Sequence, residues 1–198
     1  IPDEHLKLFQ ELRAQGKFVL AYAGGMGDAN ALDYLLDACK LIDPQVALLL
    51  VGDGPNKARL IERVQQENLQ NVHFMPAIGK MQIPFFLNAC DALYIGWNNL
   101  PIYRFGICPN KLFDYMLAAK PIIHSVTAGN DLVRDADCGY SVAAEDVSAI
   151  AAAINQVSQL AQLERAELGA RGKTYVLQQH DYAILAQKFL ASVFDTAK

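Results

Sequence analysis

Three glycine- or proline-punctuated segments carry the residue types that hold anions. The first is Gly24-Gly25-Met26-Gly27-Asp28. Three glycines within four residues let the backbone approach a ligand, and a helix starting just beyond them offers N–H groups with no partner inside the helix. A tight strand-to-helix turn explains the same residues, and both readings stand. The segment is not a dinucleotide fingerprint, because G-x-G-x-x-G is absent and no acidic residue follows the second apolar run where a ribose would need one. The second segment is Gly52-Asp53-Gly54-Pro55, with Lys57 two residues on. Two glycines and a proline at a helix start make a turn, so Asp53 reads as structural, while Lys57 is either a phosphate contact or a solvated lysine. The third runs Arg104-Phe105-Gly106-Ile107-Cys108-Pro109-Asn110-Lys111-Leu112-Phe113-Asp114-Tyr115-Met116. Proline at a helix start leaves the N–H groups of Asn110, Lys111 and Leu112 pointing outward as an anion cradle, and Lys111 adds a cation. Asp114 lies one turn inside, where an ionised carboxylate accepts from a vicinal diol such as a ribose. The competing reading makes Lys111 and Asp114 an ordinary i,i+3 surface pair.

Short apolar runs alternate with amphipathic ones, and the three segments fall between them. Strands are expected at 17–22, 46–51, 71–75, 92–95, 121–124 and 140–142. The run Val46 to Val51 is apolar throughout, as in a strand covered on both faces. Helices are expected from Asn30, where Leu32, Leu35, Leu36, Cys39 and Ile42 share one face, and at 57–66, 83–89, 109–119 and 130–135, with three more within 146–195. Such alternation predicts an α/β fold: right-handed βαβ units building a Rossmann-like, parallel, six-stranded sheet with helices on both faces, followed by a helical C-terminal extension. In such sheets ligands bind beyond the carboxyl ends of the strands, which is where the three segments lie.

The 198 residues are 53% hydrophobic and 19% charged, which excludes a disordered chain. A net charge of −4 argues against a general nucleic-acid binder, which needs a basic face, so no nucleic-acid partner is expected. No apolar run reaches the ~20 residues of a membrane helix, and no signal peptide opens the chain. Cys39, Cys90, Cys108 and Cys138 are scattered, without C-x-x-C or a histidine at ligand spacing. They read as reduced thiols of a cytoplasmic protein, with no metal site. The chain opens on Ile1 rather than methionine, and the expectation is a piece of a longer protein.

The segment Pro109 to Met116, followed by Lys120-Pro121-Ile122-Ile123, resembles the donor-binding signature of family 4 glycosyltransferases of the GT-B fold. Tyr22-Ala23-Gly24 with Asn30-Ala31-Leu32-Asp33, Val51 to Pro55, Asn71 to Phe74, Ala89 to Ala92 and Cys138-Gly139-Tyr140 agree in order and spacing. The similarity runs from about Lys17 to the C-terminus and is greatest to bacterial enzymes that add amino sugars in O-antigen or capsule assembly. The resemblance implies one half of a GT-B enzyme: residues 1–16 a linker or helix from an N-terminal acceptor-binding domain, 17–180 the nucleotide-sugar domain, 181–198 a helix crossing back. It implies that Asp114 takes the ribose hydroxyls. The amides of Asn110, Lys111 and Leu112, with Gly24, Gly25 and Gly27, would hold the diphosphate, and Phe74, Pro76 and Ala77 would edge the base. The implied reaction is retaining transfer from a UDP-N-acetylhexosamine-type donor to a lipid-linked or saccharide acceptor. The base is expected in the other half, and no metal or other cofactor is required. A lipid-linked acceptor would bring the enzyme to the inner face of the plasma membrane as a peripheral protein.

The sequence departs from the family pattern in two places. The first of two paired glutamates is replaced by Gly106, which leaves the Ile107 and Cys108 amides as the expected sugar contacts. The usual phosphate-binding arginine and lysine after the first strand are absent; Met26 and Asn30 stand there, and Arg104, Lys57 and Lys111 are the candidate substitutes. Two alternatives remain open: a nucleotide-sugar epimerase of the same fold, and a non-catalytic binding module.

Overall fold

The computed structural model describes residues 1–194. Its element order is α1 (Asp3–Ala14), β1 (Phe18–Ala23), α2 (Leu32–Ala38), β2 (Val46–Val51), α3 (Lys57–Gln66), β3 (Val72–Met75), α4 (Ile83–Ala89), β4 (Ala92–Gly96), α5 (Asn110–Leu117), β5 (Ile122–Ser125), α6 (Leu132–Asp135), β6 (Gly139–Val142), α7 (Val147–Gln159), α8 (Gln162–Gln179) and α9 (Tyr182–Phe194). Short 3₁₀ turns occupy Asp28–Asn30, Lys80–Gln82 and Pro101–Phe105. All six expected strands form one sheet in the order β3-β2-β1-β4-β5-β6. Every neighbouring pair is parallel, with Phe18 opposite Val46, Leu20 opposite Ala92 and Leu93 opposite Ile122. The chain therefore winds outward from β1 to β3, then crosses to β4 on the other side of β1. The crevice of such a sheet opens where the winding reverses, between the carboxyl ends of β1 and β4.

Both faces of the sheet are dry. On one, Leu20, Leu48, Leu50 and Ile123 pack under Leu35 and Leu36 of α2, Leu60 of α3 and Ile150, Ile154 and Val157 of α7. On the other, Val19, Leu49, Leu93 and Ile122 pack under Phe9 and Leu12 of α1, Phe86 and Leu87 of α4, Leu112, Tyr115 and Met116 of α5, and Val176 of α8. That two-sided cover is why β2 is apolar at every position. Residues 1–16, expected as a linker or helix, hold α1, which seats His5, Phe9 and Leu12 in the domain core.

Boundaries differ by a residue or two, for local reasons. The helix expected over 109–119 begins at Asn110, since Pro109 is its N-cap, and stops at Leu117 before Ala119 turns left-handed at φ 52°. Cys39 and Ile42 stay buried although α2 ends at Ala38. At α6, Asp131 caps the helix by accepting from the amides of Val133 and Arg134. The helical C-terminal segment divides: α7 joins the core and α8 packs on α5. The last, α9, buries none of its residues and leaves Tyr182, Phe189, Leu190 and Phe194 exposed. The final residues of the expected crossing helix, 195–198, lie outside the described residues.

Candidate functional site

The loop after β1 and the loop after β2 are stacked backbone on backbone. Met26 N–H donates to Asp53 C=O at 2.8 Å, and Asn56 N–H returns to Met26 C=O at 3.0 Å. A Cβ on Gly52 would lie 2.0 Å from the Gly24 oxygen, and one on Gly54 would lie 2.6 Å from the Met26 nitrogen. These two glycines are therefore there for loop-to-loop packing, with φ of 143° and 154°. Asp53 accepts from the Gly54 amide, the turn role its surroundings suggested. Gly25 and Gly27, by contrast, face open space or only distant atoms, so their lack of a side chain leaves the top of the loop uncovered.

What lies against Gly24 is a lysine from the other side of the crevice. A Cβ at Gly24 would fall 2.6 Å from Lys111 Nζ. The Lys111 ammonium donates to the Tyr22 hydroxyl at 2.6 Å and to Asn30 Oδ1 at 3.3 Å, and sits 4.0 Å above the centre of the Tyr22 ring. Burial draws its pKa down to about 8. Each of these partners is neutral, so the charge is oriented without being neutralised. Tyr22 is itself buried and donates to the Gly25 carbonyl, and its burial pushes the phenol well above its ordinary range. A second phenol fixes the height of α5: Tyr115 Oη, fully buried, accepts from Ala23 N–H at 2.8 Å and reaches Ala23 C=O at 3.3 Å. Both tyrosines stand in quoted segments, but neither was given a role from the sequence. The available signal was a hydroxyl-bearing residue inside an otherwise aliphatic core stripe.

The start of α5 offers fewer amides than the sequence suggested. Leu112 N–H turns back to Pro109 C=O at 3.0 Å, because the first turn tightens to 3₁₀ geometry. The cradle is thus Asn110 and Lys111, whose N–H groups have no protein acceptor among the described residues. Asp114 is exposed one turn on, with neither ion pair nor hydrogen bond among the described residues. Burial raises its carboxyl somewhat above the usual range, opposed by Lys80. The i,i+3 surface pair does not form, since Lys111 reaches to β1 instead. Ile107 is also committed: its N–H donates to Asn130 Oδ1 at 2.7 Å and its C=O accepts from Asn130 Nδ2 at 2.9 Å. Of the two amides expected to face a sugar, only Cys108 is unengaged.

Other expected contacts lie around this centre. Lys57 spends its ammonium on the carbonyls of Gly52 and Met75, at 2.7 and 3.1 Å, tying the ends of β2 and β3 together. Arg104 stacks its guanidinium 4.6 Å from the ring centre of Phe105 on an exposed turn. Of the three cations considered, Lys111 alone reaches the glycine loop. Phe74 is half-buried at the end of β3, and Pro76 and Ala77 are exposed beyond it. Pro76 C=O is taken by the buried His5 Nε2 at 3.0 Å, so α1 holds this segment from behind. Cys108 is exposed and the other three cysteines are buried, all unbridged. No helix among the described residues is long and apolar enough to cross a membrane.

Known proteins share this fold. Solved structures superpose over most of the chain at low identity: Anabaena HepE, solved with UDP and glucose (TM-score 0.74, 20% identity, 98% of this chain and 52% of that one), and WaaG, a glycosyltransferase of lipopolysaccharide biosynthesis (0.70, 15%, 96% and 51%). Among curated proteins, the glycosyl transferase WcaI of Escherichia coli K12, named for colanic acid biosynthesis, is 26% identical over 149 residues, 71% of this chain and 35% of WcaI. This chain thus spans about a third to a half of the length of these relatives. The family model for group 1 glycosyl transferases matches residues 17–159, from the strand that leads into the glycine loop to the end of α7. On that match, the chain belongs to the group 1 glycosyltransferases.

Proposed function

We propose that the chain is the donor-binding half of a two-domain enzyme that transfers a sugar, with retention, from a UDP-N-acetylhexosamine-type donor during bacterial surface-polysaccharide or lipopolysaccharide synthesis. One observation carries the reading: α5, which starts at the sheet's switch point, carries an ammonium held only by neutral groups and, with no partner among the described residues, two amides and a carboxylate. Lys111 Nζ and the Asn110 and Lys111 amides suit a diphosphate, and Asp114, one turn along the same helix, suits the ribose hydroxyls. The UDP complex of HepE and the names of WcaI and WaaG support the donor class and the setting.

In this reading the sugar–phosphate bond breaks as the acceptor hydroxyl attacks, and negative charge collects on the departing diphosphate. Lys111 and the helix amides are fixed before that charge develops, so they stabilise it without reorganising. They supply the countercharge that a metal would otherwise bring, and no cofactor enters the scheme. The acceptor, saccharide or lipid-linked, and the base that takes its proton belong to an N-terminal half. The apolar surface of α9 is where that half docks. The enzyme works in the cytoplasm, peripheral to the inner face of the plasma membrane.

Calorimetry with UDP, GDP and UDP-N-acetylglucosamine tests the reading. The chain binds UDP, Asp114→Ala weakens it by about 1–3 kcal/mol, and the chain alone transfers no sugar. Gly106, where a carboxylate would be expected, favours a second reading, a non-catalytic module. The absence of both heat and thermal shift at millimolar ligand would select it.

A further inference from the structure

Asn130 is a residue that neither the sequence motifs nor the donor cradle accounts for. It sits just before α6, 23 residues from the backbone it holds, and it engages both polar groups of Ile107 at 2.7 and 2.9 Å. The neighbouring residue adds a second tie: Gly129 N–H donates to Tyr103 C=O at 2.9 Å. A Cβ on Gly129 would lie 2.2 Å from the Arg104 oxygen, so the two loops touch through backbone. The base of the clamp is rigid. Asp131, the next residue, caps α6 and accepts from the buried His124 Nδ1 at 2.9 Å. Burial alone would raise the Asp131 carboxyl, and the His124 hydrogen bond helps hold it below the usual carboxylate range.

Gly106 completes the device. Its φ of 101° lies in the left-handed half of the map, and a Cβ there would meet Asn130 Oδ1 at 3.1 Å. Any side chain there sits on strained backbone and crowds the Asn130 oxygen. A donor with its ribose at Asp114 and its diphosphate at the start of α5 sends its sugar the other way, over the residues that enter the helix. Those are Gly106, Ile107 and Cys108.

Resting on the donor reading above, we infer that Asn130 is the positioning residue of the sugar side of the site. By gripping Ile107 at both ends it fixes the Cys108 amide, which has no protein acceptor among the described residues, as a donor to the sugar. The chain thereby holds with a backbone N–H what a side-chain carboxylate at position 106 would otherwise hold. The clamp touches the loop and not the nucleotide, so it separates sugar binding from nucleotide binding.

The test compares UDP with UDP-N-acetylglucosamine on the wild-type chain and on Asn130→Ala, Asn130→Asp and Gly106→Glu, each checked by thermal unfolding. Wild type distinguishes the two ligands. Asn130→Ala holds UDP within about twofold and loses about fivefold on UDP-N-acetylglucosamine, the worth of one hydrogen bond. Asn130→Asp keeps the acceptor for Ile107 N–H, folds if alanine does not, and falls between. Gly106→Glu strains the loop and crowds the Asn130 oxygen, and it behaves like Asn130→Ala. Equal weakening of both ligands, no weakening of either, or a wild type that treats them alike overturns the role of Asn130. A wild type that binds no UDP strikes the donor reading itself, and the clamp with it.

Discussion

Cations stand at both ends of this sheet, and they differ in what they are bonded to. At the amino ends, Arg13 donates to Asp91 Oδ2 at 2.6 Å and to the Ala89 carbonyl, while the same carboxylate oxygen accepts from Val19 N–H. Arg165 reaches the Leu160 carbonyl. Lys120 shares a cavity of about 500 Å³ with them and lies in the field of Asp91. Charge there pins α1 to the start of β4. At the carboxyl ends, Lys111 is held by a phenol and an amide oxygen, and Asp114 by nothing among the described residues. The amino end holds a cavity whose carboxylate, Asp91, is answered by Arg13, whereas at the carboxyl end the Asp114 carboxylate has no bonded partner among the described residues. An ammonium with only neutral partners, beside amides and a carboxylate that have no protein partner among the described residues, is an arrangement suited to a ligand.

The contrast can be broken most directly at Lys111. Lys111→Ala removes a charge-assisted contact and weakens UDP by about 1.5–3 kcal/mol in calorimetry. Uridine, which has no phosphate, is unaffected. An alanine variant that binds UDP as wild type does would make Lys111 a packing residue. A smaller and sharper effect concerns pH. The free ammonium titrates at about 8, and a bound diphosphate raises that value. The lysine's contribution to affinity is therefore present below pH 8 and declines as pH rises through and above it, by at most about tenfold per unit until the bound value is passed. Lys111→Arg stays protonated and flattens the profile. The smallest effect belongs to the amino end. Arg13 is exposed enough for solvent to screen its pair with Asp91, so Arg13→Ala costs at most about 1 kcal/mol of unfolding free energy. UDP binding to that variant is unchanged, and any loss there would merge the two ends into one site.

The fold was legible almost whole. The central strands β1, β2 and β4 were short and apolar, as parallel cover on both faces requires, and β1, β2 and β3 end at a glycine or proline. The helix face of α2 followed from 3.6-residue spacing. The site was legible by segment and not by atom. That Asn110, Lys111 and Asp114 start a helix at a strand's carboxyl end is local information. That Leu112 and Ile107 have already spent their amides, on Pro109 and Asn130, depends on how one turn closes and how a distant loop docks. The choice among Lys57, Arg104 and Lys111 was likewise invisible. All three have long flexible stems, and only the packing of α5 against β1 through Tyr115 decides which ammonium or guanidinium reaches Gly24. His5 and Asn130 carried no motif, since each acts on a backbone carbonyl or amide remote in sequence.

The Tyr115 hydroxyl joins the middle of α5 to the last residue of β1 and so gives the ammonium, the two amides and the carboxylate a common mount. Their mutual geometry is settled when the domain folds, and a ligand arriving later has little left to organise. The grip is ready in the folded domain itself, before any ligand arrives.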